Sequence, residues 1–314
     1  MAIKRTKKYT YALGILLCLF LGGGYYAVEN IFPYMGIKPW RMVPAENAWK
    51  FPNGYKPSDF GVEAETLKVK TADGLNLSAL VINSRLDTTY GVMVMLHGIS
   101  NCKETNLPAA RMLSDSGYAC LLLDLRAHGE SDGEYCTFGY TEKHDLKTVA
   151  DTVSARFPGK PIGIWGASLG GAISLQAMEN DSRFEFGIIE STFDEFPHVA
   201  AEYGADYMLG IRSTWMVNRV LKKSGEIAHF DPFSVKPVES AAKINRPVLF
   251  MHGDKDARIP PEFNKRNFEA LKHPLKKWIS VQNGGHSNLW KRDGAMLRTE
   301  VFKFLQACRT AQLH

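Results

Sequence analysis

Six short apolar runs constrain this chain more than any other feature. They are GVMVMLHG from Gly91, YACLLLDL from Tyr118, PIGIWG from Pro161, FGIIEST from Phe186, PVLFMHG from Pro247 and KKWISVQ from Lys276. Each ends at turn-forming or polar residues, and stretches of helical spacing around 104–116, 140–157, 168–180, 262–272 and 294–307 separate most of them. A strand that is apolar along its whole length must be covered on both faces. Strands alternating with helices provide that cover, which predicts a mostly parallel sheet with helices on either side. Upstream, VEAETLKVKT and LNLSALVIN alternate apolar with polar residues around the turn ADG, the pattern of a hairpin. The expectation is therefore an α/β fold with an eight-stranded sheet and the hairpin as its antiparallel edge.

The 314 residues suffice for one such domain. A formal charge of +5 looks basic, but Lys4, Arg5, Lys7 and Lys8 supply four of those charges against only Glu29 in the first thirty residues. The rest is near neutral, which argues against a nucleic-acid face. The four cations precede an uncharged run from Tyr9 to Val28. Twenty such residues are enough to span a bilayer as a helix, and flanking cations favour the cytoplasmic side. This predicts an N-terminal membrane helix, residues 1–28, that either stays as an anchor or is cleaved as a signal, with the body outside the cytoplasm. Gly22 and Gly24 offer a weak cleavage site, and ILLC lacks the small residue a lipoprotein cysteine needs. Residues 29–61 carry five prolines together with Trp40 and Trp49. We expect an irregular connector that packs on the body or lies at the membrane interface, followed by the main domain over 62–314. Outside the membrane segment, Cys102, Cys120, Cys136 and Cys308 are either reduced thiols or disulfide partners, with Cys102 and Cys136 the first pair to test.

Between PIGIWG and the helical stretch SLGGAISLQAMEN lies Gly166-Ala-Ser-Leu-Gly170, a G-x-S-x-G pattern at a strand-to-helix junction. Such a turn lifts its serine clear of the sheet at a helix N-terminus, and the flanking glycines are there for lack of bulk. From about Val62 to Leu305 the chain resembles the α/β-hydrolase superfamily, in the small-lidded branch of acyl esterases and prolyl-oligopeptidase-like peptidases. MLHGIS, LDLRAHGESDG, GASLGG, MHGDKDARIP and NGGHSN carry the resemblance. It implies a serine, acid, histidine order, which Ser168, Asp256 and His286 obey. A serine hydroxyl needs a base in hydrogen-bond reach, and that base needs a carboxylate to fix its tautomer. His286, in a Gly-Gly loop after the last strand, is the best-placed base. His97 and His252 look like loop braces and His128 a structural residue, while His144 and His273 read as surface. Asp254 and, more remotely, Asp194 rival Asp256, but the family spacing H-G-x-x-D selects Asp256. Glu190 serves as a supporting acid or pairs with a nearby Arg or Lys. The backbone N–H groups of Ile99 and Leu169 are the expected oxyanion donors.

The long connection 194–246 reads as a small helical lid, with Met208, Ile211 and Trp215 at helical spacing either forming an apolar substrate wall or simply packing on the body. No H-E-x-x-H, clustered Cys/His or phosphate-cradling glycine motif calls for a metal or cofactor. The resemblance implies a serine hydrolase acting on a small-molecule ester or thioester, and the N-terminal run adds a membrane tether. Amides or short peptides are the alternative within the same chemistry. A non-catalytic binding protein on this fold is the alternative outside it.

Overall fold

The computed structural model describes residues 2–207, 210 and 213–311. Eight strands form one sheet: β1 (Glu65–Lys70), β2 (Asn76–Ile82), β3 (Gly91–Leu96), β4 (Tyr118–Leu123), β5 (Ile162–Ala167), β6 (Phe184–Glu190), β7 (Val248–Gly253) and β8 (Lys277–Val281). Their order is β1-β2-β4-β3-β5-β6-β7-β8. The first hairpin is antiparallel, and β2 runs antiparallel to β4. From β4 onward every neighbouring pair is parallel. All six residues of β3 and of β4 are buried, as a doubly covered strand requires.

Alternation along β3 splits the core. Val92, Val94 and Leu96 face α4 (Glu142–Arg156), α5 (Leu169–Asn180), α8 (Pro237–Lys243) and α9 (Pro261–Ala270). Met93 and Met95 face α3 (Leu107–Ser114) and α10 (Leu289–Ala311). The long connection after β6 is helical, with α6 (Phe196–Tyr207), α7 (Thr214–Ala228) and the short α8.

Preceding the sheet, α1 runs over Ala2–Asn30, and α2 over Phe32–Ile37. The stretch Leu13–Ile37 is long and apolar enough to cross a membrane, and only 6% of its most apolar window is buried. The connector is less irregular than its prolines suggest. Pro33 occupies the first turn of α2, where its missing N–H costs nothing. Ile37 is fully buried in the core, and its carbonyl accepts a hydrogen bond from the Cys136 N–H. Farther along, the Arg41 guanidinium donates to the carbonyls of Gly129, Ser131 and Gly133. All five cysteines are free, so Cys102 and Cys136 are not bonded to each other. Both are buried.

Candidate active site

The strand order reverses at β3. The chain steps outward from β3 to β4 and then returns to place β5 on the other side. The loops leaving the C-terminal ends of β3 and β5 therefore diverge and open a crevice, the place where open α/β sheets bind ligands. Ser168 sits there, immediately after β5 and before α5, with φ 54° and ψ −118°. A left-handed φ is strained for a serine and persists only where its surroundings over-determine it. Ser168 N–H donates to the Glu190 carbonyl, and the Thr192 hydroxyl donates to the Ser168 carbonyl. The glycines make the turn possible. A Cβ on Gly166 would lie 2.1 Å from the Gly170 carbonyl oxygen, and one on Gly170 would lie 2.5 Å from that of Leu96.

Three loops converge on this hydroxyl. Ser168 Oγ lies 3.1 Å from His286 Nε2, and His286 Nδ1 lies 2.8 Å from Asp256 Oδ2. With Nδ1–H donating to the carboxylate, Nε2 is left to accept the serine proton. Close glycine contact brings the β8 loop this near: a Cβ on Gly253 would meet the Gly284 oxygen at 2.3 Å. Gly285 N–H also donates to Asn288 Oδ1. The Asp256 carboxylate is held on both oxygens. Oδ1 accepts from the backbone N–H groups of Arg258 and Ile259, and His252 Nε2 lies 3.2 Å from Oδ2. Burial alone would raise this carboxyl, but the hydrogen bonds from His252 and His286 outweigh it and hold it well below the ordinary range.

The rival acids sit elsewhere. Asp254 is exposed. Asp194 is buried in contact with His198 and Arg266. His97 spans the loops after β3 and β4: its Nδ1–H donates to the Gly98 carbonyl and its Nε2 accepts from Leu125 N–H. Burial lowers its pKa to about 4. His128 packs beside it, ring to ring at 5.0 Å, and burial lowers its pKa to about 3. Leu169 opens α5, where backbone N–H groups lack helical partners. The Gly98-Ile99 loop closes against Ser168, since a Cβ on Gly98 would lie 3.5 Å from the serine Cβ.

Glu190 departs from expectation. Its partners are not cations but two indoles: Trp165 Nε1–H at 2.5 Å and Trp290 Nε1–H at 3.2 Å. Burial raises its pKa to about 7, against the opposing pull of those two donors. No charge or spacing signal marks these partners, because Trp290 comes from the start of α10, a hundred residues away.

Two chambers meet at Ser168 and Ile99. One, about 320 Å³, is walled by Phe138, Phe193, Phe196, Val217 and Leu221, with Phe32, Met35 and Gly36 closing it from α2. No described residue lining it carries a charge. The other, about 370 Å³, contains His286, Ser287, Arg258, Glu190 and Trp290. Of the three side chains expected to form a substrate wall, Met208 and Ile211 lie outside the described residues. Trp215 is 68% exposed and does not line the chamber. The inward face of α7 is offset by one position, to Met216, Val217, Val220 and Leu221, because Leu221 and Ser224 are the positions that pack inward. The sequence reading missed the α2 wall altogether.

A family model described as serine aminopeptidase, S33, matches residues 87–220, which include the Ser168 turn. Protein YqkD of Bacillus subtilis is 27% identical over 225 residues, covering 69% of this chain and 72% of YqkD. The Pyrococcus furiosus esterase Pf2001 superposes with a TM-score of 0.68 at 22% identity, over 86% of this chain and 98% of that one. The Pyrococcus horikoshii acylaminoacyl peptidase does so with a TM-score of 0.56 at 18% identity, over 76% of this chain and 41% of its own. The chain has the α/β-hydrolase fold. The expected sheet topology is present, down to the antiparallel edge hairpin.

Proposed function

We propose that this protein is a serine esterase. It would act through an acyl-enzyme on Ser168, with His286 as base, Asp256 as orienting acid and the N–H groups of Ile99 and Leu169 as oxyanion donors. One observation carries the reading: the continuous path from Ser168 Oγ through His286 to Asp256, at 3.1 and 2.8 Å, beginning on a strained turn. Oγ attacks the substrate carbonyl as its proton passes to Nε2. The imidazolium that forms is stabilised by the fixed Asp256 carboxylate, and the carbonyl oxygen takes its charge toward the two N–H groups. The same proton is then handed to the leaving oxygen, and water repeats the sequence in reverse to release the acid.

That proton transfer assigns the chambers. The leaving group must sit beside His286, so it occupies the polar chamber and the acyl group the apolar one. A substrate bearing an α-ammonium in its acyl half would find no carboxylate among the described residues of that chamber, which favours esters and thioesters over aminoacyl amides. Lys4, Arg5, Lys7 and Lys8 support an N-terminal helix that keeps its basic end in the cytoplasm and the catalytic body outside.

A fluorophosphonate probe tests the chemistry. Wild type is expected to be labelled, Ser168→Ala not at all and His286→Ala weakly; an unlabelled wild type would point to a binding protein instead. Comparing p-nitrophenyl esters with aminoacyl amides tests the substrate class, and a strong preference for the amides overturns the esterase reading.

A further inference from the structure

The wall of the acyl chamber supplied by Phe32, Met35 and Gly36 lies one residue beyond α1. At a rise of about 1.5 Å per residue, Met35 stands within roughly 10 Å of the end of α1. This placement is fixed. The Glu29 carboxylate pairs with the Arg219 guanidinium of α7, at 2.5 and 2.7 Å. The Ser224 hydroxyl donates to the Pro33 carbonyl at 2.9 Å, and Ile37 is buried in the core. The N-terminal helix is thus joined to α7, the neighbouring wall of the same chamber.

The outside of this junction is apolar and aromatic. Tyr25, Tyr26, Tyr34, Trp40 and Trp215 are all exposed, and Trp215 stands one helical turn before Arg219. Amphipathic rings of this kind settle at the headgroup level of a bilayer. Met35 is 45% exposed while also lining the chamber, so apolar surface continues from the membrane-length helix to the chamber.

Resting on the esterase reading above, we infer that the acyl donor is a long-chain lipid ester drawn from the bilayer, its chain passing along α2 into the chamber that α2 walls. The N-terminal helix is then part of the substrate site rather than a tether alone.

The test uses the full chain in phosphatidylcholine vesicles and a p-nitrophenyl ester series from acetate to decanoate. For wild type, kcat/KM is expected to rise roughly fourfold per methylene until the chamber is full. A Cβ on Gly36 meets nothing within 4 Å, so Gly36→Phe adds a ring to the chamber wall without a backbone clash. The readout is the decanoate-to-acetate ratio of kcat/KM, in which any loss of folded protein cancels. Gly36→Phe is expected to lower that ratio at least tenfold, and Met35→Ala to move the optimum to longer chains. A fluorogenic diacyl lipid placed in the enzyme's own vesicles is expected to be cleaved faster than the same lipid in separate vesicles. An unmoved ratio in both variants, or equal rates from the two vesicle populations, overturns the inference. If wild type cleaves acetate in those experiments, the esterase reading survives that failure. If wild type cleaves no ester and takes no fluorophosphonate label, it is the esterase reading that fails.

Discussion

The Asp256 carboxylate accepts from the backbone N–H groups of Arg258 and Ile259 and from His286, and His252 Nε2, which bonds the Ile259 carbonyl, stands 3.2 Å from Oδ2, although a single carboxylate–imidazole contact would suffice to orient His286. That redundancy fixes both ring plane and tautomer. Asp256→Asn replaces one acceptor with a donor and favours the tautomer in which Nε2 carries the proton. We expect kcat to fall about 10³- to 10⁴-fold with KM little changed, measurable on p-nitrophenyl acetate. Glu190 titrates differently. Its folded pKa, about 7, lies above the ordinary 4.5, so the native state holds the proton longer than the unfolded chain. Stability from this group is full below about pH 4.5 and is lost as pH rises through 7. Glu190→Gln removes that dependence. Relative to wild type, the variant should gain about 3 kcal/mol between roughly pH 4 and pH 8, read from urea unfolding at each pH. An equal difference at both pH values would refute the burial argument.

At the scale of elements, the strand–turn–helix of β5 and α5 depends on absent side chains. Gly166→Ala sets a methyl group 2.1 Å from the Gly170 oxygen and 2.5 Å from Ser174 Oγ, both in rigid, buried structure. We expect a loss of about 1–3 kcal/mol from overpacking, and a fall in fluorophosphonate labelling rate larger than the unfolded fraction explains, since the serine would shift with the turn. The α7 helix shows the converse case. Its spacing marks an amphipathic helix, but which stripe faces inward depends on what lies opposite, and here α2 and the Phe196 face of α6 select Val217 and Leu221 over Trp215.

For the whole molecule, the free cysteines give a simple check. Cys102, Cys120, Cys136 and Cys308 are buried, and burial raises each thiol well above its usual range. Thiolate, the reactive form, is therefore scarce at these four positions. The native protein should resist alkylation there, and all five thiols should react after denaturation. Mobility on a gel should be the same with and without reductant. A bonded pair would appear as two missing alkyl groups in the intact mass.

The sequence determined the periodicities and the chemistry of local turns. Six apolar runs and one alternating hairpin identify the eight strands, since a segment apolar at every position cannot rest with one face in water and an alternating one can. Gly166 and Gly170 mark the strained turn, because steric exclusion there acts between residues only a few positions apart. The order of the strands, the convergence of the β3, β5, β7 and β8 loops and the indole partners of Glu190 were decided by tertiary structure. So was the use of α2 as a chamber wall. These depend on contacts between segments separated by up to about two hundred residues, as Glu29 and Arg219 are, and no local pattern encodes which distant surface a given face will meet.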